Sequence, residues 1–261
     1  MFALALAGWG TLVFLGVLQG LTEFLPVSSS GHLVLAREWL GLSGGETLAR
    51  EVGLHLGTLA AVCAFCFRDL VSLTRTGSAG LWKLLIGSTL VTGVLGLLLE
   101  SSIESSLNNA HSAGAGLLVT SLLLGVVAPA KSTETGLCLA DGRWRHGVIL
   151  GLFQTLALVP GISRAGATIV GGLVLGYARP DAVRLAFVMS IPVVAGAVLL
   201  KVLEDPAAAT SMGAELAPAI GIAALVGLLA LRIMTVSSDP KSLRRFAAYT
   251  AVLGIVAIAT A

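Results

Sequence analysis

Long apolar runs separated by short polar clusters set the rhythm of this chain. Stretches near 52–67, 81–99, 113–130, 185–200, 216–234 and 246–261 are almost free of charge. They approach the ~20 residues that a helix needs to cross a bilayer, so each predicts a transmembrane helix. Two further apolar regions are interrupted, and they resemble each other. Gly16–Leu33 reads GVLQGLTEFLPVSSSGHL and Gly151–Thr168 reads GLFQTLALVPGISRAGAT. Laid together, Gly16 pairs with Gly151, Gln19 with Gln154, Leu21 with Leu156, Val27 with Ile162, Ser28 with Ser163 and Gly31 with Gly166. Both copies place a proline and a serine–glycine turn in apolar sequence. The polar residues differ: Glu23 and His32 belong to the first copy, Arg164 and Thr168 to the second. Unlike polar groups on a duplicated, broken segment suggest one site built from two halves.

Charge between the spans predicts their orientation. Loop 68–83 carries Arg68, Arg75 and Lys83 against Asp69. Loop 131–146 carries Lys131, Arg143 and Arg145, and loop 232–245 carries Arg232, Lys241, Arg244 and Arg245. Loop 100–112 has Glu100 and Glu104 and no basic residue, while loop 201–215 sets one lysine against Glu204, Asp205 and Glu215. The positive-inside rule puts the first three in the cytoplasm and the other two outside. The flanks of Gly147–Ala178 must then share a side. That segment has about 32 residues, too few for two full crossings of ~30 Å at 1.5 Å per residue. A re-entrant helix-turn-helix follows, and the same logic makes residues 1–40 a second one entering from the outside. The halves 1–130 and 131–261 are therefore expected to be inverted repeats. Such repeats place their site near the bilayer midplane, where broken helices meet.

Composition agrees with this reading. Of 261 residues, 56% are hydrophobic and only 11% charged, against about 25% charged in a soluble protein. The expected fold class is an all-α polytopic membrane protein, a single integral membrane domain over 1–261. It has about six transmembrane helices and two re-entrant segments. The 32 glycines suit close helix packing and permit a homodimer. The net charge of +2 says little about a polyanionic partner, and no nucleic-acid partner is expected. Met1–Leu18 lacks a basic n-region and is expected to belong to the mature fold. Cys63 and Cys66 form a C-x-x-C inside an apolar span, where a packing role is favoured over redox or metal chemistry. No G-x-x-x-x-G-K loop occurs, so a built-in ATPase is not expected.

The interrupted segments carry the candidate chemistry. Ser28-Ser29-Ser30-Gly31 after Pro26, and Ser163 after Pro160-Gly161, have the composition of helix N-caps. Two return helices would then point their N-termini inward and favour an anion. Gln19 and Glu23 stand i, i+4 on one helical face. They read as a metal-ligating or acid–base pair, the alternative being a structural glutamate satisfied by the serine turn. Intramembrane carboxylates favour function. His32 is close enough in sequence to Ser28 and Ser29 for a nucleophile–base arrangement, or for direct attack by the imidazole; a core histidine bound to backbone is the alternative. Arg164 suits bidentate phosphate binding, or an ion pair with Glu23, or both. Ser163 and Thr168 add hydroxyls, although Thr168 could instead bond back to its own helix. His55, four residues after Glu51, reads equally as structural or functional. His111 and His146 fall in predicted loops without a role. Lys241, Arg244 and Arg245 read as a cytoplasmic anchor.

GLTEFLPVSSSGH at Gly20–His32 and PGISRAGAT at Pro160–Thr168 resemble the two hallmark motifs of the bacterial undecaprenyl-pyrophosphate phosphatases, the bacitracin-resistance family. HLGTLAAV at His55–Val62 and RRFAAYTAVLG at Arg244–Gly254 extend the resemblance to nearly the whole chain. It implies a multi-pass enzyme of the bacterial cytoplasmic (inner) membrane that hydrolyses undecaprenyl pyrophosphate to the monophosphate. That activity recycles the carrier lipid for cell-wall synthesis and confers bacitracin resistance. It also implies a Mg²⁺ or Ca²⁺ requirement and a site facing the periplasm. On this chain the family's (Glu/Gln)-x-x-x-Glu pattern falls on Gln19 and Glu23 as metal site, its serine and histidine on Ser29 and His32, and its arginine on Arg164. Ser28, Ser163, Arg164 and Thr168 would bind substrate. Gln19 stands where some members have glutamate, and Ala165 where the second motif often has serine. Either Ser29 attacks with His32 as base, or His32 attacks directly. A secondary transporter or flippase for a prenyl phosphate is the rival reading, since broken helices at the midplane are also transporter architecture.

Overall fold

The computed structural model describes residues 2–41, 47–76, 79–131, 133–206 and 216–261. Glu215 of the charge argument lies outside the described residues, as do the side chains of Arg75, Glu100 and Glu104. Helices α1 (Phe2–Phe24) and α2 (Ser29–Leu40) flank the first proline turn. Then come α3 (Thr47–Phe65), α4 (Phe67–Thr76), α5 (Ala79–Leu107) and α6 (Ala110–Leu122), the last running through a π turn at Leu123–Val127 into α7 (Ala128–Lys131). Helices α8 (Trp144–Leu156) and α9 (Arg164–Val174) flank the second proline turn. They precede α10 (Arg179–Glu204), α11 (Ala217–Val236) and α12 (Pro240–Thr260). The described residues contain no strand, only an isolated bridge between Leu137 and Tyr177.

The chain is an all-α polytopic membrane protein. Among the described residues, Ala79–Leu99, Ala110–Val127, Arg179–Glu204, Ala217–Val236 and Pro240–Thr260 are long and apolar enough to cross a membrane. The sixth expected stretch, 52–67, falls on α3, whose apolar part Glu51–Phe65 is shorter. Leucine and valine cover the outer surface: Leu98 is 69% and Leu225 70% exposed, as suits faces turned to lipid tails.

The second interrupted segment has the expected dimensions. Helix α8 has 13 residues and α9 has 11, so each extends about 16–20 Å and neither can cross alone. Its flanks meet. Arg179 N–H donates to the Thr133 carbonyl at 2.9 Å, Ala178 N–H to Leu137 at 3.0 Å, and Arg179 pairs with Glu134. In and out, the segment starts and finishes at one end of the protein. The first segment is less symmetric: α1 has 23 residues, about 34 Å, the length of a full span rather than a half-helix.

Several predicted loops are helical. Helix α5 continues to Leu107, and α6 begins at Ala110 behind the Asn109 cap, whose side chain accepts from Ser112 N–H at 2.9 Å. Only two residues remain of loop 100–112. Loop 68–83 is mostly α4 and the start of α5, and loop 232–245 shrinks to the link between Val236 and Pro240. Backbone hydrogen bonding carries a helix past the point where its side chains cease to be apolar, so hydropathy underestimates helix length. For the same reason His111 and His146 stand in first helical turns, not in loops.

Packing interleaves the two halves. Helix α1 lies along α11 and α8 lies along α5, while α6 packs on α12 and α3 on α10. Close approach is bought with glycine: a methyl on Gly147 would meet the Lys83 carbonyl oxygen at 2.6 Å, where α8 crosses α5. The main core gathers Phe24, Leu84, Leu150, Ile169, Leu185 and Phe187, drawn from both halves. Cys66 is buried in it, and all three cysteines are free.

Candidate active site

Each proline turn is built to end one helix and start another. After Pro26 the chain passes through Ser28, whose φ of 72° is the only positive value at a described non-glycine residue. That conformation costs roughly 1–2 kcal/mol for an L-residue. Ser28 Oγ then caps α2 by accepting from Gly31 N–H at 3.3 Å. At the second turn, Gly161 takes φ 91° and Ser163 Oγ caps α9, accepting from Gly166 N–H at 3.1 Å. The turns touch: a methyl on Gly31 would come within 2.8 Å of Gly161 Cα. Two helix N-termini, each with free N–H groups and a positive dipole end, are therefore neighbours deep in the protein.

Glu23 is the hub between them. It is 6% exposed, on the last turn of α1. Its Oε1 accepts from Arg164 Nη2 at 2.6 Å, across 141 residues of sequence. Its Oε2 accepts from Ser29 Oγ at 2.6 Å and from Gln19 Nε2 at 3.0 Å. Burying an ionised carboxylate is tolerable only with such partners; removing one member of a buried pair costs about 3–5 kcal/mol. Gln19 is fully buried, and because its amide nitrogen faces Glu23 its Oε1 has no hydrogen-bond partner. His55 is bonded through Nδ1 to the Glu51 carbonyl at 2.8 Å.

His32 lies nearby but does not reach Ser29. Its Nδ1 is 2.7 Å from the Ser28 carbonyl oxygen and its Nε2 is 2.7 Å from the Tyr249 hydroxyl on α12. The serine–histidine arrangement anticipated from sequence gives way here to a serine–glutamate one. Thr168 donates back to its own helix, at 2.7 Å to the Arg164 carbonyl and 3.2 Å to that of Ala165. Ser28 and Ser163 are buried caps. Ser29 and Arg164 therefore present the most directly usable polar groups. Gln154, the counterpart of Gln19, donates to Thr92 Oγ1 at 3.0 Å.

Two contributors escaped the sequence reading. Thr120 on α6 donates to the Gly161 carbonyl at 2.8 Å and accepts from Ser163 N–H at 2.9 Å, clamping the second turn. Tyr249 meets His32. The chain has two tyrosines, and each bonds a histidine, Tyr177 pairing with His146 Nδ1 at 2.9 Å. A tyrosine hydroxyl inside apolar sequence needs a partner, and that need was the available signal.

A carboxylate, a hydroxyl and a guanidinium gathered between broken membrane helices define a polytopic membrane enzyme that handles phosphate. The chain belongs to the bacitracin resistance protein BacA family, whose model matches residues 12–256. It is 37% identical to an undecaprenyl-diphosphatase of Thermomicrobium roseum, over 93% of this chain and 94% of that one. It is 41% identical to one from Rubrobacter xylanophilus, over 91% and 92% of the two chains. A third, from Myxococcus xanthus, is 39% identical over 83% of this chain and 79% of its own.

Proposed function

We propose that this protein hydrolyses undecaprenyl diphosphate to undecaprenyl phosphate and inorganic phosphate. The activity returns carrier lipid to cell-wall synthesis and protects against bacitracin. The single observation that carries the mechanism is Glu23 held at once by Arg164 and Ser29. The diphosphate enters at the paired N-termini of α2 and α9, where Arg164 binds its oxygens and exchanges part of its pairing with Glu23 for them. Ser29 Oγ attacks the terminal phosphorus while its proton passes to Glu23 Oε2, already 2.6 Å away. The P–O bond to the prenyl phosphate breaks and that phosphate leaves, taking the proton from Glu23. Water then cleaves the phosphoserine, with Glu23 returning as base. Phosphoryl transfer requires mainly positioning and charge neutralisation, and this constellation supplies both.

A Mg²⁺ or Ca²⁺ ion fits the site. Gln19 Oε1 is a buried oxygen ligand without a partner, on the side chain whose amide nitrogen donates to Glu23. Hard cations take such oxygens, and Mg²⁺ is satisfied by one or two protein ligands completed by water and substrate phosphate. Gln19 and Glu23 would hold the ion, which would neutralise diphosphate charge.

The site faces the outer side of the bacterial cytoplasmic membrane, a reading supported by the basic clusters at Arg143–Arg145 and Lys241–Arg245. Residues 1–130 and 131–261 are inverted repeats, supported by the reciprocal packing of α1 on α11 and α8 on α5. The relatives named as diphosphatases favour an enzyme over a transporter. The test is phosphate release from a prenyl diphosphate by protein in detergent with Mg²⁺. Glu23→Ala and Arg164→Ala should each abolish release; persistence in both would refute the site.

A further inference from the structure

The His32 ring has both nitrogens committed, and the chemistry of the two partners fixes its tautomer. Nδ1 sits 2.7 Å from the Ser28 carbonyl oxygen, which can only accept, so Nδ1 carries the proton. A neutral ring then leaves Nε2 as an acceptor, and the Tyr249 hydroxyl 2.7 Å away donates to it. The two rings stack, with centroids 5.7 Å apart and planes 12° from parallel. Ser28, the acceptor at the other end, is the residue with φ 72° that immediately precedes Ser29. A strained turn of this kind persists only where its surroundings over-determine it.

We propose that Tyr249 is a positioning residue of this site: its hydroxyl holds the His32 ring at the angle from which Nδ1–H reaches the Ser28 carbonyl, and that bond holds the turn that aims Ser29 at Glu23. The chain of bonds runs from α12 to the nucleophile's turn, linking positions 217 residues apart at the Tyr249–His32 step. Without the hydroxyl, Nε2 loses the bond that fixes the ring, which can then turn away from the Ser28 carbonyl. This inference rests on Ser29 as nucleophile in a phosphatase.

Tyr249→Phe is the test, because it keeps the stacked ring and removes only the hydroxyl. In detergent-solubilised protein labelled with ¹⁵N-histidine, the His32 signals are those missing from His32→Ala. In the parent they should show a pyridine-type Nε2 and a pyrrole-type Nδ1, and in Tyr249→Phe both should shift, Nε2 through loss of its hydrogen-bond donor and Nδ1 as its bond to the Ser28 carbonyl loosens. With a prenyl diphosphate, kcat should fall by about tenfold and KM stay within twofold, as for an interaction expressed in the transition state. Unchanged ¹⁵N signals in Tyr249→Phe would overturn the proposal. So would an effect confined to KM, the signature of a residue that merely shapes the lipid groove. If the parent released no phosphate, the phosphatase reading would fall, while the ¹⁵N signals would still report on the tautomer.

Discussion

Arg164 Nη2 lies 2.6 Å from Glu23 Oε1, and through this one contact the arginine of the second proline turn neutralises the acid beside the first. Both side chains are shielded, at 15% and 5% exposure, so the pair is a structural element as well as a chemical one. Arg164→Ala should therefore cost stability along with activity. A loss of about 3–5 kcal/mol is expected from the stranded carboxylate. Arg164→Ala with Glu23→Gln should recover much of that stability and none of the turnover. Thermal unfolding in detergent measures the first, phosphate release the second.

Ser29 and His32 now have separate expected phenotypes. Ser29→Ala removes the attacking hydroxyl and should lower kcat by roughly 10³-fold or more, leaving no phosphorylated protein in a rapid quench. His32→Ala should slow the reaction yet still permit a phosphoserine at position 29 to be trapped. Label found on His32 instead would reverse the assignment.

The two turns should tolerate no added bulk where they meet the rest of the fold. A methyl on Gly116 of α6 would overlap the Pro160 carbonyl oxygen and approach Gly161 Cα at 2.9 Å. Backbone cannot move aside as a side chain can. Gly116→Ala is expected to destabilise by about 1–3 kcal/mol and to displace the α9 N-terminus. The expected readout is a lowered unfolding temperature together with weakened binding of a prenyl diphosphate.

Thr120→Val keeps shape and removes the hydroxyl that clamps the second turn. The Gly161 carbonyl and the Ser163 N–H both lose a partner in a buried setting, at about 1–3 kcal/mol each. Thr120→Ser should retain most of the parent stability. Equal melting of the valine and serine variants would show that the clamp contributes nothing.

Ser28 should widen the usual gap between glycine and alanine at a helix cap. Glycine lacks the capping oxygen but is free at φ 72°, whereas alanine loses the cap and keeps the strain. Ser28→Gly is expected to melt near the parent and Ser28→Ala to lose about 1 kcal/mol or more, compared by thermal unfolding.

What the sequence disclosed was set by range. The spans followed from hydropathy, and counting residues between basic clusters gave a second segment whose flanks should share an end, where Arg179 does meet Thr133. Ser28 and Ser163 were legible as caps because capping is local. The i, i+4 bond between Gln19 and Glu23 was legible for the same reason. Thr120 and Tyr249 were not, since each acts across helices that sequence spacing does not relate. Nor did nearness in sequence decide the partner of His32: one turn along α2, its ring points to α12 and away from the Ser29 hydroxyl.

The separation of 141 residues between Glu23 and Arg164 bears on biogenesis. Translation at about 5–20 residues per second leaves an interval of roughly 7–28 s between the acid and its counter-ion. During that time the nascent α1 carries an acidic group whose placement in a bilayer costs roughly 2.5–3.5 kcal/mol on insertion scales. The first helix is without its counter-ion until α9 arrives. Assembly of the active site and neutralisation of the first helix are then the same event.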